Sequence, residues 1–188
     1  QSYKIATRKG YDITDISLWC DYVDMLRRLN KDIHSPKYVC PTDLHREHDL
    51  RQNEFRKQRE KEEKEKRRKK AMEDEKRFHE LKSKFFGIRF TDGTIQVHVL
   101  ESVQEHLEEG VAMHHCVFDN AYYLRENSLI FSATIEGRRI ETIEVNLDTL
   151  KVVQSRGVCN QNTEYHDQIV NLVNANKRLI RQRMRQTA

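Results

Sequence analysis

Three consecutive side chains that can bind a metal, move a proton or attack an electrophile stand at His114, His115 and Cys116. Neighbouring residues on a helix or strand point in different directions, so one small site takes one or two of them rather than all three. A second polar set lies further along the chain. Gln154 and Arg156 share one face of a strand by the period-two rule, Glu144 sits in the strand before them, and Gly157 and Asn160 follow in the exit loop. If the histidine segment packs across that face, the result is a pocket holding an acid, a guanidinium, an amide and imidazoles. Arg156 could then grip a phosphate or carboxylate bidentately. The plainer alternative is an Arg156–Glu144 ion pair that only holds the sheet.

Two other chemistries are weaker. Zinc accepts His and Cys donors, but its ligand pairs usually stand two to four residues apart, and partners would have to come from Cys159, Glu144 or His166. A Cys116 nucleophile needs a base and a lowered pKa. Adjacent His115 is poorly placed for that on a regular backbone, and a buried Cys116 beside Val117 behind the sheet is the plainer expectation. The sequence assigns no cofactor and no metal.

The elements that must position these groups follow from patterning. Residues 1–41 read as short helices, with apolar spacing through Ile13, Ile16, Trp19, Tyr22, Val23, Leu26 and Leu29. Asp15 or Ser17 is the expected cap, Asn30 the stop and Trp19 a packing anchor. Residues 42–86 read as one long charged helix opened by Thr42 or Asp43, with Glu–Lys and Glu–Arg pairs at i,i+4 and no apolar stripe in its middle. Its basic cluster Arg67–Lys70 is interleaved with glutamates upstream and lacks alternating aromatics, so a solvated face is expected there.

Residues 87–188 read as a small α+β domain. Ile88 and Phe90, then Ile95, Val97 and Val99, flank an Asp92-Gly93 hairpin signal. Ser102 to Glu105 forms a capping box for a helix expected to stop at Gly110. Asp119 is the expected cap of a short helix through Tyr122, Tyr123 and Leu124. Strands over Leu129–Ile135, Arg139–Asn146 and Lys151–Arg156 make an antiparallel meander, closed by one final helix from Thr163.

The 188 residues carry a net charge of +4, mildly basic and short of the footprint of a dedicated DNA-binding domain. The four cysteines are widely spaced and form no CxxC pair, which points to a reducing cytoplasm rather than a disulfide framework. No apolar run reaches membrane-spanning length. The chain opens inside a helical pattern without Met, as a piece of a longer protein would.

The ordered set His114-His115-Cys116-Val117, a following Tyr122 or Tyr123, Leu129-Ile130-Phe131, Thr142-Ile143-Glu144-Val145 and Gln154-x-Arg156-Gly157-x-x-Asn160 resembles the C-terminal region of PcfJ-like proteins. Pro41 to Asp49 is similar to the stretch those proteins carry before their long helix. Phe118 replaces the glycine usual after the Cys-Val pair. The resemblance implies an accessory protein of a conjugative plasmid, integrative element or phage, without a settled activity. It also implies one site for His114, His115, Cys116, Glu144, Gln154, Arg156 and Asn160. Two function classes follow. The first is a module binding nucleic acid or a transfer-machinery protein, without membrane insertion. The second is a hydrolase or transferase on a phosphate-bearing or nucleic-acid substrate, with His114 or His115 as acid/base and Arg156 as anion clamp. Tyr122 and Tyr123 could stack a base in either. Oligomeric state is left open.

Overall fold

The computed structural model describes residues 1–185. They divide into two compact units, Gln1–Lys66 and a second that begins at Arg67. Among the described residues no helix is long and apolar enough to cross a membrane.

The first unit holds α1 (Ser2–Arg8), α2 (Ile16–Arg28), α3 (Pro36–Val39) and the opening turns of α4 (Leu44–Lys82). Asp15, not Ser17, caps α2 by accepting from the Leu18 amide at 2.9 Å. Past the end of that helix, Asn30 takes a left-handed conformation, which its short polar side chain tolerates. Trp19 is buried among Ala6, Tyr22, Leu26 and Val39, and its indole N–H donates to the Val39 carbonyl at 2.8 Å, so the anchor also satisfies its polar edge. Asp43 opens α4 by accepting from the Arg46 amide at 3.0 Å. Residues 56–66 of that helix are exposed apart from half-buried Gln58, as a stretch without an apolar stripe requires.

In the second unit α4 ends in a 3-10 turn at Ser83–Phe85. An all-antiparallel sheet follows, built from β1 (Arg89–Thr91), β2 (Gln96–Val99), β3 (Ser128–Ile135), β4 (Arg138–Asn146) and β5 (Lys151–Arg156) in that spatial order. The sequence predicts a hairpin and a separate meander of three strands. Pairing of Gln96–Val99 with Phe131–Thr134 joins them into one sheet. The Asp-Gly turn forms as patterned: Asp92 accepts from the Thr94 and Ile95 amides at 2.9 Å each, and Gly93 takes φ +100°.

One sheet face presents Phe90, Val97, Val99, Phe131, Ala133, Ile143 and Val145 to α6 (His166–Ala175) and α7 (Lys177–Arg185), where Ile169, Val173 and Ile180 complete the core. The closing helix is therefore two helices. It starts at His166 rather than Thr163, which is bound elsewhere, and breaks at Asn176, whose side-chain amide donates to the Leu172 carbonyl at 2.9 Å.

The other sheet face is covered in part by α5 (Val103–Met113). Ser102 caps it by accepting from the Glu105 amide at 3.0 Å, and the Glu105 carboxylate accepts from the Glu101 amide at 2.6 Å, close to the expected capping box. The helix does not stop at Gly110. It runs on to Met113 and ends where His114 turns left-handed at φ 54°. Gly110 is needed for contact instead: a Cβ there would meet the His115 carbonyl oxygen at 3.0 Å. Asp119 caps nothing. Its carboxylate faces Arg67 at 3.4 Å, and the 3-10 turn Tyr122–Leu124 starts from a left-handed Ala121.

Candidate functional site

Strand register sets one wall of the site. Glu144 pairs with Gln154, Thr142 with Arg156 and Ile130 with Glu144, so all five share the face turned away from α6. A bulge between Glu144 and Val145 shifts the register there, and pairing resumes with Val145 opposite Val152. The second wall is the chain folding back from α5. The His115 amide donates to the Gly110 carbonyl at 2.9 Å, which closes the helix end and starts the return.

The His115 ring joins the walls. Its Nε2 lies 2.7 Å from the Gly157 carbonyl oxygen. A carbonyl only accepts, so Nε2 carries the hydrogen, and in the neutral ring Nδ1 is the acceptor. Between the walls is a cavity of about 370 Å³, lined by His115, Cys116, Val117, Asn120, Tyr122, Ile130, Thr142, Glu144, Gln154, Arg156 and Asn160. The volume is at the small end for a ligand pocket.

Glu144 is only 8% exposed yet opens onto this cavity. Ser128 donates to its Oε1 at 2.7 Å and Gln154 to its Oε2 at 3.1 Å. Each carboxylate oxygen keeps a further acceptor position. The guanidinium of Arg125 stands 3.9 Å from Oε1 and lies 3.6 Å over the Tyr122 ring, so one cation serves both groups. Arg156 donates through one nitrogen to the Asn162 side chain, not to Glu144, which leaves most of its five donors uncommitted. The alternative of an Arg156–Glu144 ion pair is not among the described contacts.

Several sequence candidates stand elsewhere. His114 is the exposed cap of α5, outside the cavity lining. Tyr123 is buried with Phe78 and Phe118, and its hydroxyl donates to Asp74 at 2.8 Å, so it offers no face for stacking. Tyr122 packs on Leu100, Val117 and Ile130 under the Arg125 guanidinium. Cys116 is exposed rather than a core residue, whereas Val117 is buried. Gly157 is buried and acts through its backbone. Among the described residues no three His, Cys, Asp or Glu side chains cluster as a metal would need. His166 instead donates to Glu141 at 3.1 Å on the other sheet face.

Backbone strain gathers around the cavity. His114 and Ala121 on one segment and Cys159 and Asn160 on the other all hold positive φ without being glycine. Such residues persist only where their surroundings fix them, and they cluster at ligand sites. A larger cavity of about 620 Å³ lies on the same face, lined in part by Arg89, His98, Glu105, Ser132 and Arg139, and none of the sequence candidates reaches it.

Three contributors have no sequence pattern. Arg125 and Ser128 follow the 3-10 turn and act on Glu144 only through the fold. Lys82, 2% exposed, donates to the carbonyls of Arg125, Glu126 and Ser128 at 2.7, 2.9 and 2.7 Å, so all three of its hydrogens hold the loop that carries them. Burial, then repulsion from Lys84, pushes its ammonium down to about 8.

The family model for PcfJ-like proteins matches residues 18–170, most of the chain and every wall of the cavity. The chain belongs to the PcfJ-like protein family. No curated protein and no solved structure matches it. In this PcfJ-like chain the His-His-Cys string and the Gln-x-Arg-Gly-x-x-Asn string stand on opposite walls of one cavity, joined by the His115–Gly157 hydrogen bond.

Proposed function

We propose that this PcfJ-like chain is a nucleic-acid-binding module of a mobile genetic element, and that single-stranded nucleic acid reaches the cavity between His115 and Arg156. The observation that carries this reading is the pairing of a largely uncommitted guanidinium, Arg156, with a buried carboxylate, Glu144, that retains acceptor positions. The first suits a phosphate, bidentately held. The second suits the N–H edge of a base. Asn120, Gln154 and Asn160 add polar groups that are sequence-tolerant. The four unpaired thiols support a reducing, cytoplasmic setting.

The test is fluorescence anisotropy with labelled four-nucleotide DNA and RNA. Wild type binds, and Arg156→Ala weakens binding by about tenfold or more, the loss expected for a charge-assisted contact. No binding by wild type, or an unaffected variant, contradicts the reading. Release of a product from the same oligonucleotides, abolished in a folded His115→Ala variant, would place the chain with hydrolases or transferases instead, with Nδ1 of His115 as the proton acceptor.

A further inference from the structure

Helix α7 is the most one-sided charged element of the described chain. Lys177, Arg178, Arg181, Arg183 and Arg185 give it five cations in nine residues and no acid. That concentration exceeds the +4 of the entire sequence. No described acidic group stands in ion-pair contact with any of the five. A cation at the C-terminal end of a helix offsets the dipole, and one or two would suffice for that.

Arg178, Arg181 and Arg185 are exposed and spaced i, i+3, i+7, so they form one stripe, with steps of ~4.5 and ~6 Å along the axis. Ile180 points the other way, fully buried in the core with Ile169 and Val173. The helix therefore holds its arginines on a fixed support. Of its apolar residues Ile180 is committed to the core and only Leu179 and Met184 are exposed, at 37% and 36%, too little for insertion into a lipid surface, which needs a continuous free apolar face. Planar guanidinium groups in a row suit successive phosphates of a polynucleotide.

We propose that α7 is a second, separate nucleic-acid contact that grips the phosphate backbone without reading bases. This proposal rests on the reading of the chain as a nucleic-acid-binding module and adds a different surface to it. The α7 side of the sheet is the one opposite the cavity, because Ile143 and Val145 face α7's core while Thr142 and Glu144 face the cavity. A four-nucleotide ligand reaches the cavity alone, whereas a 30-nucleotide strand has length to engage both.

The experiment compares the wild-type chain with Arg178→Ala/Arg181→Ala/Arg185→Ala, and with the three corresponding Lys substitutions as a charge-conserving control. Binding of labelled 4- and 30-nucleotide DNA is measured over a salt series, with circular dichroism to confirm folding. For the 30-mer the Ala variant loses about 10- to 100-fold in affinity at moderate salt, and its log K against log salt slope becomes shallower by about 2, from three lost single-strand phosphate contacts. The Lys control keeps the slope. Four-nucleotide binding is unchanged in both variants. An unaltered 30-mer affinity and slope in the Ala variant overturns the proposal. So does the absence of 30-mer binding by wild type, or Ala-sensitive binding to vesicles of equal phosphatidylserine and phosphatidylcholine with DNA binding intact. Failure of the cavity reading looks different: Arg156→Ala leaves four-nucleotide binding untouched while the α7 variant still weakens the 30-mer.

Discussion

Two glutamates three residues apart on β4 have opposite fates. Glu141 faces the core side, is fully buried, and accepts from Ser155, from both the amide and hydroxyl of Thr163, and from His166. Burial alone would raise its pKa, but these donors outweigh it and hold the carboxyl below its ordinary value. Glu144 faces the other side, accepts two hydrogen bonds and opens onto a cavity. A saturated carboxylate is a fastener, here tying the loop after β5 to the sheet. A carboxylate of similar burial that faces a cavity keeps acceptor positions open to an incoming donor. The difference lies in which face the strand's two-residue period assigns and in how many donors wait there.

Removing the fastener has the largest expected effect. Glu141→Ala leaves Thr163, Ser155 and His166 without their shared acceptor and should cost about 3–5 kcal/mol in urea unfolding, as for other broken buried charged networks. A loss below about 1 kcal/mol would mean that the loop after β5 holds itself.

Acid should expose a second buried group. His106 packs against Phe78 and Tyr123 at 5.2 and 5.5 Å, and burial pushes its pKa down to about 4, so it stays neutral in the fold. Between pH 6.5 and 4 the unfolded chain binds the proton that the folded chain refuses, and stability falls as pH drops through that window, by up to about 3 kcal/mol. Glu141 acts in the same direction: its folded pKa lies below the unfolded 4.5, so its stabilisation is present above that value and lost as pH falls through the folded one. Urea midpoints over pH 4 to 7 check this, and His106→Gln should flatten the upper part of the curve.

Gly157 comes next. A Cβ there would stand 2.6 Å from the Thr163 methyl and 3.2 Å from the carbonyls of Gln161 and Ile140. Gly157→Ala should cost about 1–3 kcal/mol by overpacking and should shift the His115 ring resonances, because the Gly157 carbonyl is their partner. An unchanged His115 spectrum would show that the bond joining the walls is dispensable.

The smallest stability effect is expected at Glu144. Glu144→Gln keeps shape and one acceptor, so unfolding should change by less than about 1.5 kcal/mol. Four-nucleotide binding should nevertheless fall about tenfold. Equal losses at Glu141 and Glu144 in both assays would erase the contrast between them.

Much of the fold was legible because it follows local rules. The Asp92-Gly93 turn, the five strands, the caps at Asp15 and Ser102, and the shared face of Glu144, Gln154 and Arg156 come from turn chemistry and the two-residue period. Glu141 went unremarked in the sequence, although it shares the parity of Ile143 and Val145. What the sequence hid depends on tertiary contact. Gly110 resembles a helix stop but serves the approach of the His115 carbonyl. Asp119 resembles a cap but faces Arg67. Asn176 breaks an apolar stripe that reads as one helix. Arg125, Ser128 and Lys82 matter to the site only because a helix end and a loop happen to meet beside it.

The most direct test of the central claim is an amide NMR titration of the chain with unlabelled four-nucleotide DNA, repeated on Glu144→Gln. Shifts concentrated at His115, Cys116, Asn120, Gln154 and Asn160, and weakened in the variant, are the predicted result. Shifts absent from these residues, or identical in the variant, would show that the cavity between the two strings is not where nucleic acid binds.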